Sequence, residues 1–278
     1  MKLLINLLKL PSFVFSAGLL LLTIIVALLG PFFYPIDVIS KVGPPYLAPT
    51  AEHLLGTDNL GVDMVSLLIA GLRSSLYVGL FAGIIATVVG TFLGVYAGFK
   101  GGWVDDSINM VTNLFLVIPT FVVLILISAS LAEGRSLELI GIIIGCTTWT
   151  WTTRSVRAQA SSLKARDHIA LARVNGAGTL KIVMLHILPY LASYVFMVFI
   201  IQVATGVAME ATISMIGLGP FDTVSLGIIL ESAMNNGALN DGIWWAFIPA
   251  TVLLTVIVFA LYTLNTSMET VFNPRLRK

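Results

Sequence analysis

Long apolar runs alternate with short polar gaps along this chain. The apolar runs are 13–33, 76–99, 110–131, 139–153, 190–216 and 244–266. A helix that crosses a bilayer needs about 20 mostly apolar residues. The fourth run is short and rich in Thr and Trp. The pattern predicts an all-α membrane protein with about six transmembrane helices. The gaps are a long first loop (34–75), short loops at 100–109 and 132–138, a long loop at 154–189 and a mixed loop at 217–243. The first run is too long for the roughly 7–15-residue core of a secretory signal, and it ends in Gly30-Pro31-Phe32-Phe33-Tyr34-Pro35. It reads as a retained span.

Within the second run Ala82, Ala86, Gly90, Gly94 and Gly98 recur every four residues. That spacing makes one small-residue stripe on a helix, which lets helix backbones approach closely. Packing within one subunit is the favoured reading, and contact with a partner membrane subunit the sharper one. The loop at 154–189 reads as a helix-like run over 161–175, a break at Gly176 and Gly178, and a second run over 179–188 with Thr179 as its cap. Pro189 then opens the fifth span. Two readings stand for this element: a docking knob, or a solvated amphipathic hairpin.

Lys and Arg set the orientation. With the N-terminus inside, the inner segments hold Lys2, Lys9, Lys100, Arg154, Arg157, Lys164, Arg166, Arg173, Lys181, Arg275, Arg277 and Lys278. The outer segments hold only Lys41, Arg73 and Arg135. Positive charge collects on cytoplasmic loops. The prediction is a multi-pass protein of the inner or plasma membrane with both termini and the 154–189 loop in the cytoplasm.

Composition agrees. Hydrophobic residues make up 58% of the 278 and charged residues 10%, against about 25% charged in soluble domains. A net charge of +1 leaves no nucleic-acid footprint. The single Cys146 excludes an intrachain disulfide. No G-x-x-x-x-G-K-[ST] phosphate loop is present, no H-E-x-x-H, no G-x-S-x-G and no Cys/His cluster. The reading is a non-catalytic chain with no metal and no cofactor of its own.

Several stretches then resemble one family. Ala170-Leu171-Ala172, Gly176 and His186-Ile187-Leu188-Pro189 are similar to the "EAA loop" of permease subunits of binding-protein-dependent ABC importers. His53 to Asp63 (HLLGTDNLGVD), Gly101-Gly102-Trp103-Val104-Asp105, Arg154 to Gln159 (RSVRAQ), Glu210 to Gly219 (EATISMIGLG) and Asn273 to Arg277 (NPRLR) resemble the dipeptide/oligopeptide/nickel branch in order and spacing. The pattern is that of its C-type subunit. The resemblance implies an N-terminal span and external loop at 1–75 and a permease core at 76–278, with a coupling loop at about 157–189. It also implies the partners: a homologous B-type permease, two cytoplasmic ATPases that carry ATP and Mg, and an external binding protein. The implied cargo is di- or oligopeptides, with oligosaccharides or nickel as alternatives. An ion-coupled secondary transporter is the rival from another class, and a non-transporting scaffold a third.

The same resemblance assigns ATPase coupling to Lys164, Arg166, Asp167, His168, Ala170, Ala172, Arg173, Gly176, His186 and Pro189, on a helix expected over 164–175. Departures are plain. Ala170 stands at the family's Glu, with Asp167 as a compensating acid one turn earlier. Val62 replaces an Arg, Leu226 a Trp, and His168 an aromatic. Val62 and Leu226 are expected on the outer face toward a binding protein. Glu210 falls inside the fifth span, where a carboxylate costs about 2.5–3.5 kcal/mol or more and must face protein or water. Glu210 and Ser214 are candidates for a pore or gate, while for Glu210 an interhelical hydrogen bond is favoured. Asp58, Asp63 and Asp222 read as solvated outer charges, and Trp149, Trp151, Trp244 and Trp245 as interfacial belt residues.

Overall fold

The computed structural model describes residues 6–131 and 135–272. The basic residues Lys2, Arg275, Arg277 and Lys278 and the closing NPRLR motif lie outside the described residues. The described chain is helical, with a single isolated bridge between Thr57 and Asp63. Its main helices are α1 (Pro11–Phe33), α2 (Met64–Lys100), α3 (Gly102–Val117), α4 (Thr120–Ser130), α5 (Leu137–Lys164), α6 (Asp167–Val174), α7 (Thr179–Leu218), α8 (Leu226–Asn235) and α9 (Ile248–Phe272).

Among the described residues, α1, α2, α7 and α9 are long and apolar enough to cross a membrane. The pair α3–α4 adds a fifth if it counts as one span. The expected third span is not one straight helix. It breaks at Ile118-Pro119 and bends by 78°. Proline disfavours helical geometry in the residue before it, and Ile118 is extended (ψ 123°). The expected fourth span lies within α5, which is long enough at 28 residues but too polar to qualify by composition.

α2 is longer than expected. It begins at Met64, so the boundary drawn between 75 and 76 falls inside a continuous helix. Its start is fixed by Asp63, whose carboxylate accepts from the N–H groups of Val65 and Ser66. His53 Nδ1 lies 2.7 Å from the other Asp63 oxygen. Partial burial, then the hydrogen bond to Asp63 and its charge, push the Tyr34 phenol up to about 12. Asp63 is therefore a buried helix cap, not a solvated outer charge. Asp58 accepts from the N–H groups of Leu60 and Val62 in the same turn, while Asp222 is exposed.

α2 is the hub. A Cβ on Gly90 would lie 2.5 Å from the Thr152 Cβ, and one on Gly94 2.6 Å from the Thr153 carbonyl oxygen. On Gly98 it would lie 2.5 Å from the Arg157 carbonyl oxygen. These glycines admit α5, which runs parallel to α2. Gly79 and Gly83 admit α7 in the antiparallel sense, at Val203 and Val207. The small stripe is thus occupied from within the subunit. α1 packs on the outside of this core, with Ser267 of α9 donating to Ser12 just inside its start at 2.9 Å.

α8 lies in the gap read as a mixed loop. Leu226 and Val62 are buried in the main apolar cluster, so neither departure from the family pattern faces outward to a partner. A clasp holds α8 in place. Glu210 on α7 is 0% exposed. Ser75 of α2 donates to one of its oxygens at 2.8 Å and Ser214 to the other at 2.7 Å. The Leu226 N–H at the head of α8 donates to Ser75 Oγ at 3.2 Å. One carboxylate thereby joins three helices.

Two substitutions test this architecture. Gly90→Val inserts bulk where overpacking typically costs about 1–3 kcal/mol. It should lower the detergent melting temperature clearly, while Gly18→Ala, with open space around it, should leave it unchanged. Glu210→Leu strands two buried hydroxyls, at about 1–3 kcal/mol for each group left without a partner. Glu210→Gln, which keeps an acceptor, should lose visibly less in the same melt.

Candidate functional site: the α6 mount

The end of the bundle that holds Lys100 and Lys164 carries α6. The chain turns at Ala165-Arg166 and re-enters a helix at Asp167. The expected 164–175 helix is therefore shorter, and Lys164 belongs to the last turn of α5. Asp167 at the N-terminus and Arg173 in the last turn both suit the helix dipole. A Schellman closure ends α6. The Gly176 N–H donates to Arg173 O at 2.9 Å and the Ala177 N–H to Ala172 O at 3.0 Å. Gly176 takes a left-handed φ of 74° for this turn.

Two side chains moor α6 to the bundle. Ile169 and Ala172 are buried against Val95, Phe99, Val156, Ala160, Ile182, Ile187 and Leu191. Ala172 thus packs with the mooring rather than on the open face. His168 stacks on Tyr190 with ring centroids 4.8 Å apart, which is how an imidazole serves where an aromatic ring is usual. The Arg173 guanidinium lies over the Phe99 ring at 5.0 Å.

The opposite face is open. Arg166, Asp167, Ala170 and Gly176 are exposed there, and Arg173 is exposed on the mooring side, over Phe99. Also exposed are three large apolar side chains that the motif reading did not single out: Leu171 (64%), Val174 (84%) and Leu180 (71%). The signal for them was present. On a helix moored by positions 169 and 172, the neighbours at 171 and 174 must turn outward. His186 and Pro189 sit apart from this face. Thr179 does not cap its helix: Gly178 occupies the cap position, and Thr179 makes no side-chain capping bond. Pro189 does not open a separate span either. It lies inside α7 just after a π-helical turn at Val183–Ile187, where the Leu188 N–H donates to Val183 O, five residues back. Proline lacks an N–H and crowds the carbonyl four residues back, and the widened turn relieves both.

Two of the matched motifs prove to be one contact. Asp105 of Gly101–Asp105 takes a bidentate grip from Arg157 of Arg154–Gln159, with Nη2 to Oδ2 at 2.6 Å and Nε to Oδ1. Asn109 adds a bond to Asp105 at 3.1 Å, and Arg154 reaches Asn113 at 3.3 Å. This ties α3 to α5 one turn and more above the mount. Glu210 and Ser214 are at the other end. At 0% and 1% exposure they line no open path in this structure; they form the clasp described above. Of the four tryptophans read as belt residues, Trp151 and Trp244 are exposed, while Trp149 packs edge-on against Phe115 and Trp245 against Trp244.

The comparisons with known proteins give the family. The profile of the family described as "binding-protein-dependent transport system inner membrane component" matches residues 90–278. The chain is 30% identical over 232 residues to the oligopeptide transport system permease protein OppC of Lactococcus lactis subsp. cremoris, covering 83% of this chain and 78% of that one. It is 26% identical to the dipeptide transport system permease protein DppC of Bacillus subtilis, covering 94% and 82%. To the DppC of Haemophilus influenzae it is 27% identical, covering 93% and 89%. The chain belongs to the binding-protein-dependent transport system inner membrane component family, and is a multi-pass permease subunit of that kind.

Proposed function

We propose that this chain forms half of the translocation pore of an ATP-driven importer of di- or oligopeptides, paired with a homologous B-type permease. Its α6 sits in a groove of a cytoplasmic ATPase. Two such ATPases bind ATP and Mg, and an external binding protein delivers the peptide. Both termini lie in the cytoplasm. The observation that carries the coupling reading is the outward apolar face of Leu171 and Val174 on a helix moored through Ile169 and Ala172, with Leu180 exposed in the first turn of α7 beyond it. Exposed leucine and valine on a mount this firm form a surface fit for a partner. The peptide class is taken from the relatives named oligopeptide and dipeptide permeases. An ATPase cycle that moves the groove would move α6 as a body, and with it the bundle end that Phe99 and Val156 share.

The test is co-purification. The tagged chain, extracted in mild detergent, should bring down a second permease and P-loop ATPases identified by mass spectrometry. Leu171→Glu combined with Val174→Glu changes only exposed positions. It should cut ATPase recovery at least tenfold while the helical content and melting temperature hold. The reconstituted complex should accumulate labelled di- and oligopeptides only with ATP. A chain that purifies alone and still moves solute without ATP would overturn the proposal in favour of an ion-coupled carrier.

A further inference from the structure

Between the mount and the end of α2 lies a cleft of about 410 Å³. Its polar lining is Lys100, Lys164, Arg173 and Thr179, over an apolar floor that includes Phe99 and Ile182. The three cations come from three different places: the last residue of α2, the last residue of α5 and the last turn of α6. Among the described residues no carboxylate lines the cleft. Lys164 Nζ is held there by a 3.3 Å bond to the Lys100 carbonyl, and Arg173 by its seat on Phe99. The Lys100 ammonium lies 5.8 Å from the Tyr96 ring centroid. Asp105 interacts electrostatically with Lys164 but has both oxygens hydrogen-bonded to Arg157.

Three like charges gathered around one hollow repel one another until an anion enters. Arg and Lys together suit phosphate oxygens: guanidinium gives a planar fork and ammonium a point charge. Basic pockets between helices at the cytoplasmic membrane surface bind anionic lipid headgroups. We propose that this cleft binds a phosphate group, presented by the headgroup of an anionic phospholipid in the adjoining leaflet. The lipid source rests on the orientation proposed above; the phosphate chemistry does not. A bound phosphate ties α2, α5 and α6 together by charge, adding to the apolar packing, the His168–Tyr190 stack and the Arg173–Phe99 contact that moor α6. The occupied cleft therefore stiffens the mount on which an ATPase would act.

The full-length chain, purified free of ATPases and stripped of lipid, would be offered phosphatidylglycerol or phosphatidylcholine and followed by native mass spectrometry. The wild type should retain phosphatidylglycerol with at least a tenfold preference. Lys164→Gln combined with Arg173→Gln should abolish the preference, and Arg173→Lys should keep most of it. Arg166→Gln combined with Lys181→Gln removes the same charge from exposed positions outside the cleft and should change nothing. Circular dichroism of each variant separates loss of the site from loss of the fold, and the single Lys164→Gln variant stands in if the double does not fold. Inorganic phosphate alone, at millimolar concentration, tests the source. If it binds the wild type and not the cleft variant while phosphatidylglycerol shows no preference, the site is for free phosphate and the lipid is ruled out. Equal retention by wild type and cleft variant, or equal loss in the control pair, overturns the site altogether. Because no ATPase is present, the result is independent of the coupling reading: a chain that binds the lipid and recruits no ATPase would leave this site standing and remove that one.

Discussion

The backbone contacts of α2 are the constraint from which the rest of the structure follows. Lipid tails are as apolar as leucine, so burial from water gives transmembrane helices little reason to associate. Close van der Waals packing must do it. α2 offers bare backbone on two faces: Gly90, Gly94 and Gly98 to α5, Gly79 and Gly83 to α7. The consequence is sharpest for α5. That helix carries a row of threonines and two arginines, and its composition alone would not place it across a membrane. Seated along α2, it needs little else. Thr147, Thr148 and Thr153 return their hydroxyls to carbonyls on their own helix. Gln202 of α7 donates to Thr152 Oγ1 at 2.6 Å and to the Thr148 carbonyl at 3.1 Å. Polar groups that would be costly against lipid are satisfied inside the bundle.

The same helix links the two ends that carry the matched motifs. Ser75 holds the Glu210 clasp and Phe99 the α6 mount. At 1.5 Å per residue they are about 36 Å apart along one unbroken helix. Residues of the matched motifs resolve into contacts made along this frame: Asp63 with His53 at the start of α2, Asp105 with Arg157 near the mount, Glu210 with Ser75 and Ser214 at the clasp. In two of them, Asp105 with Arg157 and Glu210 with Ser75, the partner comes from a distant part of the chain. Spacing along the sequence does not announce such pairs.

This sets how far the sequence was legible. The apolar runs located α1, α2, α7 and α9, because lipid burial is written in composition. The break at Pro119 was equally readable from the proline rule, yet continuous apolarity on both sides masked it. Asp63, directly before Met64-Val65-Ser66, had the form of a helix cap, but a helix start placed at 76 hid it among loop charges. α8 escaped because its ten residues are too few for a span and sit between glycine-rich turns. For the mount, position in a motif and position in space diverged. Ala172 was assigned to coupling and is buried; Leu171 and Val174 were not assigned and are exposed. Only the placement of Ile169 against Phe99 and Val156 decides which face of α6 turns outward.

Ala170 follows from that geometry. It is exposed on α6, so the missing glutamate leaves no buried partner stranded, and the fold loses nothing by its absence. What changes is the character of the face. Without that carboxylate, α6 shows an apolar centre at Leu171 and Val174, with Arg166 at its start and the exposed Arg173 at its edge over Phe99, and Asp167 alone in opposition. On the proposed reading, the groove that receives it needs an apolar floor for Val174, the most exposed of these side chains. It also needs acidic groups at its rim, since like charges facing one another across an interface cost affinity and slow encounter. The substitution therefore bears on which ATPase this permease accepts, and leaves untouched the mooring by which α6 is held.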